Sequence, residues 1–353
     1  MKTTLKRGVY SARQSNSRPF LSAGLMMAMA ALSVTHSPGQ VTDPQADALA
    51  GIAIRPSLTD PDITKYDFPH YLYVNRAIVV SHDPALPPDR HQLLLFIPGT
   101  HIPGTPYGGR GPTNFFDVAA NLGYHVIYLD YPNDIAAAQA CNNDRNPRAF
   151  EEFRMALIAG GNFKGQETSR TDCIENRLIK LLQYAARIRP LEKWDQFLTP
   201  GGEIQWSTIA VGGQSQGGGH AALIAVKHRV ARVICTGSPK DYSHALHRPA
   251  AWYRETSATP KACFFAFNHD QDGMGNCTPA MQTANLSALG LDQFGPPADV
   301  DQESPPYHHT RILTTDYPGG TVDSLTAHGS VITSKNGDHF KDVWTYMLTE
   351  PVP

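Results

Sequence analysis

The sequence predicts an α/β fold in which a mostly parallel central sheet is flanked by helices. Short apolar runs that end near glycine or proline alternate with helical segments along most of the chain, which is a pattern typical of parallel sheets. One such run enters the glycine-rich stretch "IAVGGQSQGGGHAA", residues 209–222, where a strand and a helix are joined by a very short turn. The chain has 353 residues, 41% of them apolar, so it can bury a large core.

The predicted strands begin with "HQLLLFIPG" and "GYHVIYLDYPN". An insertion follows the strand that ends near Tyr131, and within it "RAFEEFRMALIAGG" predicts one short helix stopped by glycines. The segment "CIENRLIKLLQYAARI" carries leucines and isoleucine on one face, so it is expected to be an amphipathic helix that covers the sheet. The remaining predicted elements are the strands "STIAVG", "RVICTGS", "ACFFAF" and "RILTTDY" and a closing helix, "FKDVWTYML".

The turn between strand and helix in the glycine-rich stretch carries the pattern G-x-S-x-G, residues 213–217. At such a turn this pattern presents a serine hydroxyl above the sheet as a nucleophile. A phosphate-binding glycine loop also joins a strand to a helix, but the stretch lacks the Gly-Lys-Ser/Thr ending of such loops. The sequence therefore predicts Ser215 as a nucleophile.

A serine hydroxyl is a weak nucleophile at neutral pH, so it requires a histidine base and an acid that orients the histidine. In this fold the chain order is serine, acid, histidine. The stretch "FNHDQDG" supplies Asp272 as the preferred acid and Asp270 as the alternative. Two histidines follow the last strand: His328, where Gly329 allows a sharp turn before a short β-like run, and His339, directly before the closing helix. The residues alone leave both histidines open.

The tetrahedral intermediate that forms when the serine attacks an acyl group also requires backbone N–H groups that stabilise its oxyanion. The amide that follows the nucleophile belongs to Gln216, at the start of the predicted helix. The second donor is expected in the loop after an early strand, where "FIPGTH" places Thr100 directly after the Pro-Gly break. His101 is the alternative for this second position.

The ordered motifs resemble the serine α/β-hydrolase superfamily, and within it a little-characterised group of exported bacterial hydrolases. The motifs that carry the resemblance are "LLLFIPGT", "GYHVIYLDYPN", "IENRLIKLLQY", "GGQSQGGGHAALIA", "RVICTGSPKDY", "FNHDQDG", "PPYHHTRILTT", "AHGSVI" and "VWTYML". They extend from about Gln92 to Leu348. The resemblance implies the α/β-hydrolase fold and a Ser-Asp-His hydrolase of esters or related acyl bonds that needs no cofactor. It also favours His328 over His339, because "AHGSVI" followed by "VWTYML" is the ordered pair that the group shares.

The N-terminus predicts export. The first 42 residues contain five basic residues and no acid, and an apolar run, "PFLSAGLMMAMAALSV", follows the basic part. This run is short for a membrane span, so residues 1–35 are expected to be a signal peptide and residues 36–353 a single domain. Removal of the five cations from a chain of formal net charge −2 leaves a net charge near −7. We therefore expect a secreted or periplasmic monomer with no nucleic-acid partner and no membrane partner after signal cleavage.

Export places the five cysteines in an oxidising compartment, where pairs can close into disulfides. Proximity along the chain pairs Cys141 with Cys173 and Cys263 with Cys277, and leaves Cys235 as a buried free thiol. Metal binding is not expected, because no C-x-x-C spacing occurs and the pair of His244 and His247 lacks further clustered ligands.

The expected function is hydrolysis of a small-molecule or polymeric carboxylic ester through an acyl-enzyme on Ser215. Two alternatives use the same chain: an amide or peptide hydrolase with the same triad, and a catalytically inactive hydrolase fold that only binds. Residues 134–164 and 240–260 are candidate cap segments over the site. Three aromatic residues of the second segment, Tyr242, Trp252 and Tyr253, are candidates for either an acyl pocket or surface packing.

Overall fold

A computed structural model describes residues 51–101 and 109–353 of the chain. The predicted signal peptide, residues 1–35, lies outside the described residues. The described part contains thirteen strands, which in chain order are β1 (Ile52–Ile54), β2 (His70–Tyr73), β3 (Leu93–Ile97), β4 (His125–Tyr128), β5 (Gly161–Phe163), β6 (Gln166–Thr168), β7 (Ile209–Gln214), β8 (Arg232–Thr236), β9 (Tyr242–Ser243), β10 (Arg248–Pro249), β11 (Phe264–His269), β12 (Ala298–Asp299) and β13 (Ile312–Thr315).

The same part of the chain contains ten α-helices. In chain order they are α1 (Pro56–Thr59), α2 (Arg76–Val79), α3 (Thr113–Asn121), α4 (Ala137–Cys141), α5 (Ala149–Ala159), α6 (Ile174–Ile188), α7 (Gln216–Lys227), α8 (Pro279–Ala288), α9 (Ser324–Ser330) and α10 (Gly337–Thr349).

Nine strands form the central sheet in the order β1-β2-β4-β3-β7-β8-β11-β13-β12. All neighbours from β4 to β12 are parallel, whereas β2 is antiparallel to both β1 and β4. The remaining four strands form two hairpins, β5-β6 and β9-β10. This strand order, the antiparallel second strand and the sharp turn from β7 into α7 are those of the α/β-hydrolase fold, so the predicted fold class is confirmed.

The central strands are buried on both faces, which explains their continuous apolar runs. Along β3, Leu93, Leu95 and Ile97 pack into the core on the face covered by α5, α6 and α7, while Leu94 and Phe96 pack into the core under α3 and α10. Alternation of this kind follows from the two-residue period of a strand. Because the sheet is covered on both faces, the open positions for polar chemistry lie in the loops at the carboxyl ends of the strands.

Three local expectations need correction. The strand before the insertion, β4, ends at Tyr128, and the insertion contains two helices, α4 and α5, before the β5-β6 hairpin. The segment around His328 forms the helix α9 instead of a turn and a β-like run. Asp323 explains this helix, because its carboxylate accepts hydrogen bonds from the amides of Leu325 and Thr326 and so caps the first turn.

The two predicted disulfides are wrong for this structure, in which all five cysteines are buried free thiols. Cys263 precedes β11 and Cys277 follows it at the other end of the strand. Six strand residues span roughly 20 Å, whereas bridged cysteines require Cα atoms within about 7 Å. Cys173 instead donates its thiol to the carbonyl oxygen of Arg170 at 3.0 Å, and burial raises the pKa of the Cys141 thiol to about 12. Cys235 is a buried free thiol as expected.

Within residues 51–101 and 109–353, no helix is long and apolar enough to cross a lipid bilayer.

Candidate active site

Ser215 occupies the turn between β7 and α7 in a strained backbone conformation, with φ 57° and ψ −120°. A non-glycine residue with positive φ is uncommon and persists only where the surrounding structure holds it. Here the amide of Ser215 donates to the carbonyl oxygen of Thr236 at the end of the neighbouring strand β8, at 2.9 Å. The turn therefore holds the Ser215 side chain above the carboxyl ends of the strands, as the G-x-S-x-G pattern predicts.

The glycines around Ser215 are required by close backbone contacts. A Cβ atom on Gly213 would overlap the backbone of Gly217, and a Cβ atom on Gly217 would overlap the carbonyl group of Ile97 at the end of β3. On Gly218 it would overlap the hydroxyl of Ser238. These contacts let α7 begin directly against β3, so the turn from β7 into α7 at Ser215, which we call the elbow, is as short as the sequence suggests.

We predict that Gly217→Ala destabilises the protein by about 1–3 kcal/mol, because the new methyl group must displace the backbone of β3. The free energy of unfolding should be measured by urea denaturation. Gly201→Ala is the matched control, since a Cβ atom there would meet only the Thr199 hydroxyl, at 3.7 Å. Equal midpoints for the Gly217 variant and wild type would show that the elbow tolerates a side chain at this position.

Asp272 and His328 form a buried hydrogen-bonded pair. Nδ1 of His328 lies 2.8 Å from Oδ2 of Asp272, and the two residues are 6% and 0% exposed. A carboxylate can only accept, so Nδ1 carries the proton and Nε2 is left as the acceptor nitrogen. Burial alone would raise the pKa of Asp272, but the hydrogen bond and charge of His328, together with Lys240, lower it below its ordinary value. Asp272 is therefore ionised at neutral pH.

Ser215 and His328 line one cavity of about 810 Å³ at the carboxyl edge of the sheet. The two residues are also linked through Gln214, whose Nε2 donates to the carbonyl oxygen of His328 at 3.4 Å. Gly237, at the end of β8, lies against the imidazole, because a Cβ atom there would be 3.0 Å from Nδ1 of His328. The structure thus brings the predicted serine, acid and histidine to the same place.

The alternative acid and base lie elsewhere. Asp270 is exposed, and its amide donates to the carbonyl oxygen of Thr315 on β13. His339 pairs through Nε2 with Oδ1 of Asp301 at 2.9 Å and stacks on the ring of Tyr317 at a centroid distance of 3.9 Å. Neither residue is among the described residues that line the cavity. The geometry therefore favours Asp272 and His328 over Asp270 and His339.

Both expected oxyanion donors border the cavity. Gln216 begins the twelve-residue helix α7, where the helix dipole adds positive potential at its amide. Thr100 lies in the loop after β3, and this loop touches the elbow, since a Cβ atom on Gly99 would be 3.0 Å from Cβ of Ser215. The amide of His101 donates to the carbonyl oxygen of Asn133 at 3.0 Å, which makes Thr100 the better second donor.

Asn133 was not predicted as a site residue. Its Nδ2 donates to the carbonyl oxygen of Gly99 at 2.9 Å, and its own carbonyl oxygen accepts from His101. The two bonds hold the loop that carries Thr100. The sequence signal for this role is weak, because Asn133 follows the strand β4 by several residues and contacts the loop only in the folded chain.

The first candidate cap segment, residues 134–164, packs against the elbow. The side chain of Gln216 accepts from the amide of Ala137 at 2.6 Å and donates to the carbonyl oxygen of Ile135 at 3.2 Å. Arg154, on α5, donates to the carbonyl oxygen of Gln216 at 2.8 Å. A Cβ atom on Gly219 would overlap the guanidinium of Arg154, which accounts for a further glycine of the stretch.

The second candidate cap segment, residues 240–260, contributes a buried carboxylate. Asp241 accepts from Nε and Nη2 of Arg154 at 2.7 and 2.6 Å and from the indole of Trp252 at 3.0 Å. The hydroxyl of Tyr253 accepts from the amide of Asp241 at 2.9 Å. Trp252 and Tyr253 are buried behind this ion pair and, like Tyr242, are not among the described residues that line the cavity. The acyl-pocket role is therefore not supported for these aromatic residues, and Trp252 and Tyr253 pack in the buried core instead of at the surface.

The apolar part of the cavity wall comes from other residues. They are Phe96, Pro112, Tyr128, Ala136, Ala137, Ala138, Met274, Leu325 and Ile332. Leu325, on α9 one turn before His328, is 50% exposed although it is a large apolar residue. This wall can hold an apolar group of a substrate next to Ser215. Within the described ranges, no group of three or more histidine, cysteine, aspartate or glutamate residues could hold a metal ion.

The chain matches no protein-family model and no curated protein. It is similar to several solved structures at low identity. A thermophilic esterase from the Planctomycetes species Thermogutta terrifontis is 11% identical over 86% of this chain and 94% of that chain, with a TM-score of 0.38. A thermostable esterase is 16% identical over 86% and 63% of the two chains, with a TM-score of 0.39. Prolyl oligopeptidase B from Galerina marginata is 12% identical over 84% and 36%, with a TM-score of 0.38.

Proposed function

We propose that this chain is a serine hydrolase that cleaves carboxylic esters through an acyl-enzyme on Ser215. The observation that carries the proposal is the buried Asp272–His328 pair, whose histidine lines the same cavity as the strained serine of the elbow. We also propose, from residues 1–35 and their basic and apolar composition, that the protein is exported.

In the proposed reaction, Oγ of Ser215 attacks the acyl carbon of a bound ester while Nε2 of His328 accepts the hydroxyl proton. Asp272 holds the Nδ1 proton of His328 through the 2.8 Å hydrogen bond and stabilises the imidazolium that forms. The protonated Nε2 then donates to the leaving alkoxide, so an alcohol departs and the acyl group stays on Ser215. A water molecule, activated by the same histidine, attacks the acyl-enzyme and releases the carboxylic acid.

In each tetrahedral intermediate, the backbone amides of Gln216 and Thr100 donate hydrogen bonds that stabilise the negative charge on the former carbonyl oxygen. Donors that are already in place stabilise such charge without reorganisation, and loss of one typically costs about 3 kcal/mol. In this chain Asn133 holds the Thr100 loop and Arg154 holds the first residue of α7. Asn133 and Arg154 both lie in the segment after β4, so this segment positions the two oxyanion donors at the elbow.

Turnover of p-nitrophenyl esters from acetate to palmitate, compared with a matched p-nitroanilide, tests this function. We expect ester turnover well above that of the anilide, because p-nitrophenolate leaves more readily than p-nitroaniline. Faster turnover of the anilide would instead favour the amide or peptide hydrolase. A fluorophosphonate probe should label Ser215 in either case. Absence of both labelling and turnover would favour the inactive fold that only binds.

A further inference from the structure

A lysine that sequence reasoning did not select contacts the acid of the candidate triad. Lys240 follows β8, and β8 is the neighbour of β11, which leads to Asp272. Nζ of Lys240 lies 3.0 Å from Oδ1 of Asp272 and donates to its backbone carbonyl oxygen at 3.2 Å. The lysine side chain is 10% exposed and lines the cavity, and the Asp272 side chain is fully buried.

The two carboxylate oxygens of Asp272 have separate partners. Oδ2 accepts from Nδ1 of His328, and Oδ1 accepts from Lys240 and from the amide of Met274 at 3.0 Å. The ammonium of Lys240 is a cation in direct contact with the buried carboxylate, and it compensates the negative charge there. An ionised carboxylate without such compensation is costly in a buried position.

We propose that Lys240 is a positioning residue that acts through Asp272: it keeps the carboxylate ionised and directs Oδ2 toward His328. The inference rests on the proposed function and extends it to a residue outside the serine, acid and histidine. Lys240 contacts both the side chain and the backbone of Asp272, so it fixes the loop after β11 as well as the charge. The sequence gives one indication of this role: Lys240 is a charged residue that lies a few positions after the end of β8, the strand next to β7.

Other titratable groups also face the loop that carries Asp272. His328 comes from α9, Asp241 lies next to Lys240, Cys277 lies on the same loop, and Cys141 comes from α4, which packs against it. Asp241 is held in its ion pair with Arg154. Burial raises the pKa of each of the two thiols to about 12, so both stay neutral in the working range. His244 also contacts this loop, with Nε2 2.9 Å from the carbonyl oxygen of Asn276. Of these groups, His328 and Lys240 are the ones that lower the pKa of Asp272.

The rate at which a fluorophosphonate probe labels Ser215 between pH 5 and pH 9 tests the proposal without knowledge of the natural substrate. Lys240 contributes to the lowered pKa of Asp272, so its loss raises that pKa. In Lys240→Met the acid limb of the labelling profile, where the rate falls at low pH, should move to higher pH, because loss of a contacting cation favours protonation of the Asp272–His328 pair. The ratio of the labelling rate at pH 6 to that at pH 8 should then be lower than in wild type, by up to about tenfold for a shift of one pH unit. Lys240→Arg keeps the charge and should restore most of the wild-type profile.

Lys261→Met is the matched control, because Lys261 precedes β11 at the opposite edge of the sheet, and its profile should follow wild type. If Lys240→Met does not fold, Lys240→Gln removes the charge and serves the same comparison. Steady-state kinetics of the Lys240 variant on an ester substrate adds a second readout. A lower kcat with an unchanged KM supports the proposal. A raised KM, together with a labelling profile whose acid limb has not moved, would show that Lys240 binds substrate instead. If Ser215 is labelled and the pH profiles of wild type and Lys240→Met coincide, the Lys240 proposal is overturned while the proposed function stands. An unlabelled wild type overturns the proposed function and this proposal with it.

Discussion

Ser215→Ala is expected to abolish ester hydrolysis, with kcat lower by a factor of roughly 10⁴ to 10⁶. The reason is that Ser215 supplies the hydroxyl at the elbow, where the backbone at φ 57° directs its side chain into the cavity. Turnover of a short p-nitrophenyl ester measures the loss directly. Labelling by a fluorophosphonate probe should disappear in the same variant.

The fold should survive this change, since the backbone bond from Ser215 to Thr236 does not involve the hydroxyl. The melting temperature is therefore expected to stay within a few degrees of wild type. Ser207→Ala is the matched control, because Ser207 is exposed just before β7 at the opposite edge of the sheet. Activity of Ser215→Ala within tenfold of wild type would remove Ser215 from the mechanism.

His328→Ala is expected to reduce turnover about as completely as Ser215→Ala, whereas His339→Ala should keep most of it. His328 is the histidine that pairs with buried Asp272 and lines the cavity. His339 is held by Asp301 and Tyr317 near the start of α10. A general base must lie within hydrogen-bond reach of the serine oxygen, either at rest or once substrate is bound. Steady-state kinetics of both variants on one ester makes the comparison.

The two histidine variants control for each other, because each removes one imidazole from a helix near the C-terminus. Loss of the His339 pair with Asp301 should lower the melting temperature slightly, since a partly exposed pair is worth at most about 1 kcal/mol. Full activity of His328→Ala together with an inactive His339→Ala would transfer the role of base to His339. Equal and small losses in both variants would contradict a histidine-dependent mechanism on this chain.

The sequence determined the parts of this protein that depend on local patterns. Apolar runs buried on both faces predicted β3, β7, β8 and β11, because strands of a covered parallel sheet must be apolar throughout. The glycines around Ser215 predicted the tight elbow, since only residues without a Cβ atom allow α7 to start against β3. The order of residues in the chain then limited the candidates for the acid to Asp270 and Asp272 and the candidates for the base to His328 and His339.

The tertiary structure decided what depends on contacts between distant segments. It places His328 against Asp272, 56 residues earlier in the chain, and leaves His339 with Asp301. It separates Cys263 from Cys277 by the length of β11, although the two are close in sequence. Lys240 enters the site because β8 and β11 are neighbours. Local pattern cannot reveal such pairs, because the order of strands in the sheet, and not their order in the chain, sets which loops meet at its carboxyl edge.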